Sequence, residues 1–186
     1  LSVLAINDAP LRQAMRIAEV EFLADLSGAL FWEHERLLVV SDLHLEKGSS
    51  FAMRGVLLPP YDTVATLGRL TAVIARFDPR TVIALGDSFH DREGCERLPA
   101  QARDMLTRLT ASLAWTWIVG NHDPVLADHC GGNIVCEAEV DGLVLRHEAV
   151  CGEPRPEISG HFHPKLRIAR RGTLVSRRCF VATGRK

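Results

Sequence analysis

The chain has 186 residues, of which 47% are hydrophobic and 24% charged, and its formal net charge is −1. This composition is typical of one globular domain with a substantial core, and it excludes a fibrous or low-complexity protein. No apolar run is long enough to cross a membrane, and the apolar start, Leu1–Ile6, lacks the basic residues of a signal peptide. Because the chain starts at Leu1 and stops directly after an apolar run, we expect it to be a fragment of a longer protein.

The cysteines indicate a reducing environment. Their number is odd and no two of them form a C-x-x-C pair, which argues against a disulfide framework and against a thiolate zinc site. We therefore expect a cytoplasmic protein in which most cysteines are small core residues. The five are Cys95, Cys130, Cys136, Cys151 and Cys179.

Basic residues are concentrated at the C-terminus. Residues 165–186 contain eight Lys or Arg and no Asp or Glu. A solvated hairpin with basic outer faces is the more common outcome of such a pattern. The alternative is a positive rim that binds a polyanion such as nucleic acid.

The N-terminal third predicts strands that lead into a buried strand. Residues 1–16 carry little signal and are assigned to an N-terminal segment, while residues 17–186 are assigned to a single domain. Alternating apolar residues over 17–32 predict a strand pair, and the apolar run Leu37–Val40 predicts a buried strand. A short helix is expected over Ser49–Arg54.

The middle of the chain predicts a parallel sheet covered by helices. A helix is expected to begin with Asp62 as its N-cap and to end at Phe77. Pro99 is expected to open a second helix. With the apolar strands Thr81–Leu85 and Leu113–Val119, the order alternates between strand and helix, as in a parallel sheet.

The remainder predicts an antiparallel region. Short strands follow one another with turns and no long helix between them. They are expected at Asn133–Val140, Gly142–His147, Pro156–Ser159, Leu166–Ala169 and Arg178–Ala182.

Residue types that bind metals follow these strands. Asp42 and His44 follow the first buried strand, and in an extended segment residues i and i+2 point to the same side. The other stretches are Gly86-Asp87, Gly120-Asn121-His122-Asp123, His147 and Gly160-His161-Phe162-His163. A single one could be a core histidine or a turn aspartate, but all five at strand ends predict a metal site there. Glycine before a ligand would let the backbone approach the ion.

The order D-x-H, G-D, G-N-H-D, a single His and G-H-x-H resembles the signature of the calcineurin-like metallophosphoesterases over about residues 36–164. The resemblance implies an α/β (α+β) fold, namely a four-layer β-sandwich of two packed mixed sheets flanked by helices. It also implies a first metal held by Asp42, His44 and His163, and a second held by Asn121, His147 and His161. Asp87 would bridge the two metals, His122 would be the catalytic histidine, and Asp123 would orient it.

This ligand set implies a two-metal mechanism. Two divalent ions would clamp the attacking and leaving oxygens, a bridging hydroxide would attack phosphorus, and His122 would protonate the leaving group. Ligation by nitrogen and oxygen favours Mn²⁺, with Fe and Zn²⁺ as alternatives. Lys47, Arg54 and His90 are weaker candidates for substrate binding, because each is also explained as a surface or turn residue.

Further segments resemble the ligase-associated DNA damage response endonucleases. They are Gly28–Trp32, S-D-L-H-L-E-K-G from Ser41, Gly86–Asp91 and Leu145–Glu148. The resemblance implies a DNA endonuclease in DNA repair, with DNA as substrate and a DNA ligase and helicase as partners. Ser88 stands where leucine is expected, and the usual C-terminal extension is absent.

Two other functions stay open at this stage. The same site could serve a phosphoesterase for small nucleotide-like substrates. A scaffold without catalysis is the second, although the presence of all seven ligands and His122 argues against it. The sequence does not predict an oligomeric state.

Overall fold

The computed structural model describes residues 12–59, 61–126, 130–170 and 172–183. The helices are α1 (Lys47–Met53), α2 (Asp62–Phe77) and α3 (Ala100–Ser112). The strands are β1 (Arg12–Ile17), β2 (Val20–Asp25), β3 (Leu30–Trp32), β4 (Leu37–Val40), β5 (Thr81–Leu85), β6 (Ala114–Ile118), β7 (Asn133–Val135), β8 (Glu137–Val140), β9 (Leu143–Arg146), β10 (Glu157–Ser159), β11 (Lys165–Arg170) and β12 (Thr173–Arg178).

Seven strands form one mixed sheet in the order β1-β2-β3-β4-β5-β6-β7. Strands β1 to β4 run antiparallel to their neighbours, and β4 to β7 run parallel to one another. The apolar runs that predicted β4 and β5 are almost fully buried, as expected for strands covered on both faces. The sheet begins at Arg12, before the predicted start of the domain at residue 17.

Helices cover one face of this sheet. The buried side of α2 presents Leu67, Leu70 and Phe77, which follow the helical period, and α3 presents Ala102 and Leu106. They share one core cluster with alternate residues of the strands, among them Leu38, Val40, Val82, Ala84, Trp115 and Trp117. The predicted strand–helix–strand order is confirmed here. None of the described helices is long and apolar enough to span a membrane.

A smaller sheet covers the other face. Its order is β10-β9-β8, with β9 antiparallel to β8 and parallel to β10. Leu143, Leu145 and Ile158 of this sheet share a second core cluster with Leu37 and Ile83 of the large sheet. Two packed mixed sheets with flanking helices, as the resemblance implied, are therefore confirmed.

The outer face of the smaller sheet carries ion pairs. Arg146 lies 2.8 Å from Glu153, 3.3 Å from Glu137 and 3.5 Å from Glu157. The guanidinium is buried, so it requires several acidic partners. The helices described here do not include one over this face, where the four-layer arrangement would place its outer layer.

The C-terminal part of the chain differs from its prediction in three places. Strand β7 joins the large sheet in parallel to β6, and the segment predicted as one strand over Asn133–Val140 divides between two sheets at Cys136. Strand β10 pairs in parallel with β9, so the region is not wholly antiparallel. The last strand is β12, and the prediction over Arg178–Ala182 is wrong because Gly172 turns the chain earlier.

The cysteines also differ from their prediction. Cys95 and Cys130 form a disulfide between two buried positions, so the prediction of no disulfide is wrong for this pair. Cys136 and Cys151 are exposed and Cys179 is half-buried, so these three are not core residues. A sequence separation of 35 gave no indication of the pairing.

Candidate metal centre

The seven candidate ligands lie at one edge of the molecule. They follow the carboxyl ends of β4, β5, β6, β9 and β10, where the loops of an open α/β sheet form its binding sites. Nitrogen and oxygen atoms of the seven candidate ligands form two clusters, and a further group of His44, His90 and His122 lies beside them. We call the two clusters the first and the second donor cluster.

The first donor cluster consists of Asp42, His44 and His163. Each offers one atom, and these atoms lie within 4.8 Å of one another. Nε2 of His163 is 3.3 Å from Oδ1 of Asp42 and 3.5 Å from Nε2 of His44. The carboxylate of Asp42 accepts the Ser41 hydroxyl at 2.6 Å and the backbone N–H of His161 at 3.2 Å. These hydrogen bonds fix its orientation.

The second donor cluster consists of Asp87, Asn121, His147 and His161. Nε2 of His147 is 2.9 Å from Oδ1 of Asn121, 3.2 Å from Nδ1 of His161 and 3.4 Å from Oδ1 of Asp87. Nδ1 of His161 is 3.0 Å from Oδ1 of Asn121. This cluster is tighter than the first, and Asp87 and His147 are buried.

The protonation of the second donor cluster fits a cation. Nδ1 of His147 lies 2.8 Å from the carbonyl oxygen of Leu85, to which it can only donate. In the neutral ring Nε2 then carries no proton, and its lone pair faces the lone pairs of Oδ1 of Asn121. Two acceptors this close need a cation or an extra proton between them. Histidines that bind a metal through one ring nitrogen commonly donate the other N–H to a backbone carbonyl, which orients the ring.

Asp87 lies between the two clusters. Its Oδ1 contacts His147 in the second cluster and accepts the backbone N–H of His122 at 2.9 Å. Its backbone carbonyl accepts the N–H of His44, in the first cluster, at 2.9 Å. A carboxylate at this position has the two oxygens that a bridge between two ions requires.

Left-handed backbone conformations bring the ligands together. Asp42 and His44 have φ values of 53° and 44°, so they are not extended, and the prediction that extended alternation aligns them is wrong. Asp87, His161 and His163 are also left-handed, with φ of 48°, 68° and 45°. Such values are uncommon for residues with a β-carbon and concentrate at functional sites. Tight turns at the strand ends therefore produce the convergence.

The glycines before the ligands make room for neighbouring loops. A β-carbon on Gly120 would lie 2.3 Å from Oδ1 of Asp87, and one on Gly160 would lie 2.8 Å from Oδ2 of Asp42. A β-carbon on Gly86 would lie 2.5 Å from Nδ1 of His147. Each glycine thus leaves room for a candidate ligand from another loop. The sequence predicted that the glycines let the backbone approach the ion.

His122 lies beside the clusters and Asp123 lies beneath them. Nδ1 of His122 lies 2.8 Å from the carbonyl oxygen of His90, and its Nε2 is 4.0 Å from Oδ2 of Asp87. That carbonyl orients the ring, whereas the sequence assigned this task to Asp123. The carboxylate of Asp123 instead accepts the N–H groups of Asp87 at 3.1 Å, Gly120 at 3.0 Å and Phe89 at 3.0 Å. Burial raises the pKa of Asp123, although the backbone donors lower it.

Comparison with known proteins identifies the family. The sequence profile of the calcineurin-like phosphoesterases matches residues 35–165. The chain belongs to this family. A search of curated proteins gave no match. A search of solved structures found the crystal structure of Pseudomonas putida nuclease MPE, which is 27% identical, with a TM-score of 0.74 over 91% of this chain and 80% of that one.

Family membership gives the enzyme class and the kind of cofactor. Calcineurin-like phosphoesterases are hydrolases that use divalent metal ions, and both donor clusters consist of nitrogen and oxygen atoms that suit such ions. Burial lowers the pKa of His44 to about 4, although the charge of Asp87 opposes this shift. The His44 ring is therefore neutral near pH 7, as a metal ligand must be.

Of the three candidate substrate residues of this phosphoesterase, His90 lies beside His122. The rings of His90 and His122 are 5.2 Å apart, and that of His90 is 5.6 Å from Phe51 of α1. Burial, and then the charges of His122, Lys47 and Arg54, lowers the pKa of His90. Lys47 and Arg54 are exposed at the two ends of α1. The structure thus places His90 at the metal centre, and the charges of Lys47 and Arg54 act on His90 from α1.

Proposed function

We propose that this metallophosphoesterase hydrolyses phosphodiester bonds in DNA as an endonuclease. The observation that carries the proposal is the pair of donor clusters. Asp87 belongs to the second, its backbone carbonyl accepts the N–H of His44 in the first, and Nε2 of His122 is 4.0 Å from its carboxylate. The similarity to a solved structure titled a nuclease supports nucleic acid as the substrate class.

We assign the candidate ligands to two ions. Asp42, His44 and His163 would hold one ion, Asn121, His147 and His161 the other, and Asp87 both. When bound, the ions would polarise the phosphoryl oxygens and lower the pKa of a water molecule. Mn²⁺ suits this set of ligands, with Fe and Zn²⁺ as alternatives.

His122 would act on the leaving group. The carbonyl of His90 holds Nδ1–H of His122, which directs Nε2 toward the metal centre. A proton on Nε2 can then pass to the departing oxygen, a transfer that contributes about 10²- to 10⁴-fold in rate. Asp123 serves this step indirectly, because it holds the backbone of Asp87 and Gly120 in place.

A panel of substrates with Mn²⁺ tests the proposal. We expect the enzyme to cleave at least one of single-stranded, nicked and duplex DNA, and to hydrolyse a generic bis-aryl phosphodiester. His122→Ala should keep its Mn²⁺ and lose about 10²- to 10⁴-fold of DNA cleavage. Its loss on the aryl diester should be smaller, because an aryl leaving group departs more easily without a proton.

The other outcomes separate the alternatives. Hydrolysis of the aryl diester without DNA cleavage would indicate a phosphoesterase for small nucleotide-like substrates. Failure on every ester with Mn²⁺ bound would indicate a scaffold. DNA cleavage by His122→Ala at the wild-type rate would show that His122 is not the acid.

The proposed biological setting is DNA repair in the cytoplasm, together with a DNA ligase and a helicase. It is supported by the resemblance of the segments from Gly28, Ser41, Gly86 and Leu145 to the repair endonucleases. Affinity purification of the chain from damaged cells should recover ligase or helicase activity, and its absence would contradict these partners.

A further inference from the structure

The hairpin of β11 and β12 forms a sheet of its own with two different faces. Directly opposed residues of an antiparallel pair point to the same side. Lys165 opposes Arg178, and Arg167 opposes Ser176, which places Lys165, Arg167 and Arg178 on one face. We call these three residues the basic face. Leu166 opposes Arg177 on the other side, where Ile168 opposes Val175.

The basic face has charges that nothing in the described structure neutralises. Lys165 and Arg178 are directly opposed like charges, an arrangement that destabilises an antiparallel pair. No described acidic residue forms an ion pair with any of the three, and all three are exposed. Elsewhere in the described chain arginines such as Arg97 and Arg155 have carboxylate partners. These three exposed charges are therefore available to an anion from outside the chain.

The hairpin is joined directly to the metal centre. Only Pro164 separates Lys165 from the candidate ligand His163. The backbone N–H of Cys179 donates to the carbonyl oxygen of Pro164 at 3.2 Å, which closes the base of the hairpin beside that ligand. The side chain of His163 is 40% exposed, so the basic face begins two residues along the chain from an exposed member of the first donor cluster.

We propose that the basic face binds the phosphate backbone of a nucleic-acid strand whose neighbouring phosphodiester lies in the metal centre. This inference rests on the proposed function and adds to it a binding surface outside the centre. Lys165 and Arg167 are two residues apart, so they present their charges about 6.8 Å apart along the strand, in a row that leads away from His163. Contacts to phosphate position a strand without reading its sequence.

Two adjacent arginines provide a matched test. Arg178→Gln removes a charge from the basic face, and Arg177→Gln removes the same charge from the opposite face of the same strand. In the Mn²⁺ enzyme, Arg178→Gln should raise KM for DNA and reduce the slope of log affinity against log salt by about 0.7. Arg177→Gln should change neither quantity, and both variants should hydrolyse the aryl diester as the wild type does.

A triple variant enlarges the effect. Changing Lys165, Arg167 and Arg178 to Gln should weaken DNA binding on the order of 10- to 100-fold and reduce the salt slope by about 2. Wild-type DNA cleavage by this variant would overturn the proposal, as would equal losses in Arg177→Gln and Arg178→Gln. If the triple variant also loses the aryl diester activity, its hairpin is misfolded and the two single variants decide.

The test distinguishes this inference from the proposed function. If the wild type hydrolyses the aryl diester but cuts no DNA, the proposed function fails. Fluorescence anisotropy of a labelled oligonucleotide, titrated with Arg177→Gln and with Arg178→Gln, then tests DNA binding by the basic face independently of cleavage. Weaker binding by Arg178→Gln only would support it, and equal binding by the two variants would overturn it.

Discussion

The two donor clusters differ in closeness and in exposure. In the first, His163 is 3.3 Å from Asp42 and 3.5 Å from His44, and its side chain is 40% exposed. In the second, His147 is 2.9 Å from Asn121 and its side chain is only 8% exposed. The second cluster is therefore the tighter one and has two buried members, Asp87 and His147, although its Asn121 is exposed, whereas no member of the first is buried.

The difference follows from where the residues lie in the fold. His147 follows β9, which is buried on both faces, and the carbonyl of Leu85 fixes its ring. His163 lies in the loop between β10 and the exposed hairpin of β11 and β12. A preformed site loses less conformational entropy when it binds an ion. We thus expect tighter binding at the second cluster and easier exchange at the first.

Asp87→Asn should have the largest effect, because it removes the charge that we propose bridges the two ions. Substitution of a residue that contacts a metal ligand, but not the metal itself, typically costs roughly 10- to 100-fold in activity. Asp87→Asn should lower activity on the aryl diester by more than this. Elemental analysis after dialysis should find fewer than two bound ions. Two ions of wild-type affinity, together with a loss below about 10-fold, would show that Asp87 is not shared.

Gly120→Ala tests whether the clusters depend on close contact between loops. The new β-carbon would lie 2.3 Å from Oδ1 and 2.3 Å from the backbone nitrogen of Asp87, so that residue must shift. A displacement of about 1 Å can cost about 10²-fold in rate, and we expect a loss of that order in the aryl diester assay.

Gly68→Ala is the control for that substitution. Gly68 lies inside α2, and a β-carbon there would meet nothing within 4 Å. It should leave activity unchanged and stabilise the fold by about 0.5–1 kcal/mol in chemical denaturation. Equal activities for the two glycine variants would contradict the close contact at Gly120.

His163→Ala and His147→Ala sharpen the comparison directly. Each should weaken one ion, and losing a ligand should cost at least about 10- to 100-fold in affinity. Calorimetric titration of the metal-free protein with Mn²⁺ should show that His163→Ala keeps the tighter of the two wild-type sites. His147→Ala should lose that site, and the reverse assignment would refute the inferred difference.

The pH dependence of stability should be the smallest effect. His44 has a pKa of about 4 in the fold and 6.5 as its ordinary value, mainly because of burial. Between these values the unfolded chain binds a proton that the folded chain does not, so stability falls as pH drops from 6.5 toward 4. Because the ring is half-exposed, we expect a contribution on the order of 1 kcal/mol.

Chemical denaturation with a chelator present measures this dependence. His44→Asn should flatten the fall in stability over the same range, because asparagine has no proton to gain. An unchanged pH profile in the variant would assign the dependence to other groups.

The sequence predicted the parts of the structure that local pattern determines. Thr81–Leu85 forms a strand with the predicted bounds, because a buried apolar run is a local signal. The predicted helix ends at Phe77 as expected, but Tyr61 is its N-cap and Asp62 its first residue, so the prediction of Asp62 as N-cap is wrong. The seven candidate ligands were also found from a local signal. Each follows a strand, and parallel strands direct their carboxyl ends to one edge.

Other features depend on contacts that the sequence does not show. Asp123 binds N–H groups from Asp87 and Phe89, which lie more than thirty residues earlier in the chain. Likewise a carbonyl at His90 orients His122, and every residue has a carbonyl, so no side chain signals this role. The change of sheet at Cys136 is also non-local, because either sheet suits the apolar pattern beside it.

The left-handed backbone at five of the candidate ligands has a consequence for how the protein tolerates mutation. Each such residue costs on the order of 1–2 kcal/mol relative to a relaxed conformation, a cost that glycine avoids. Asp42→Gly would remove this backbone cost from the metal-free chain while it deletes a carboxylate and its hydrogen bonds to Ser41 and His161. A library screened for heat resistance in chelator would be enriched in variants unable to bind metal. In such a screen, thermal stability and metal binding would favour different residues at the same few positions.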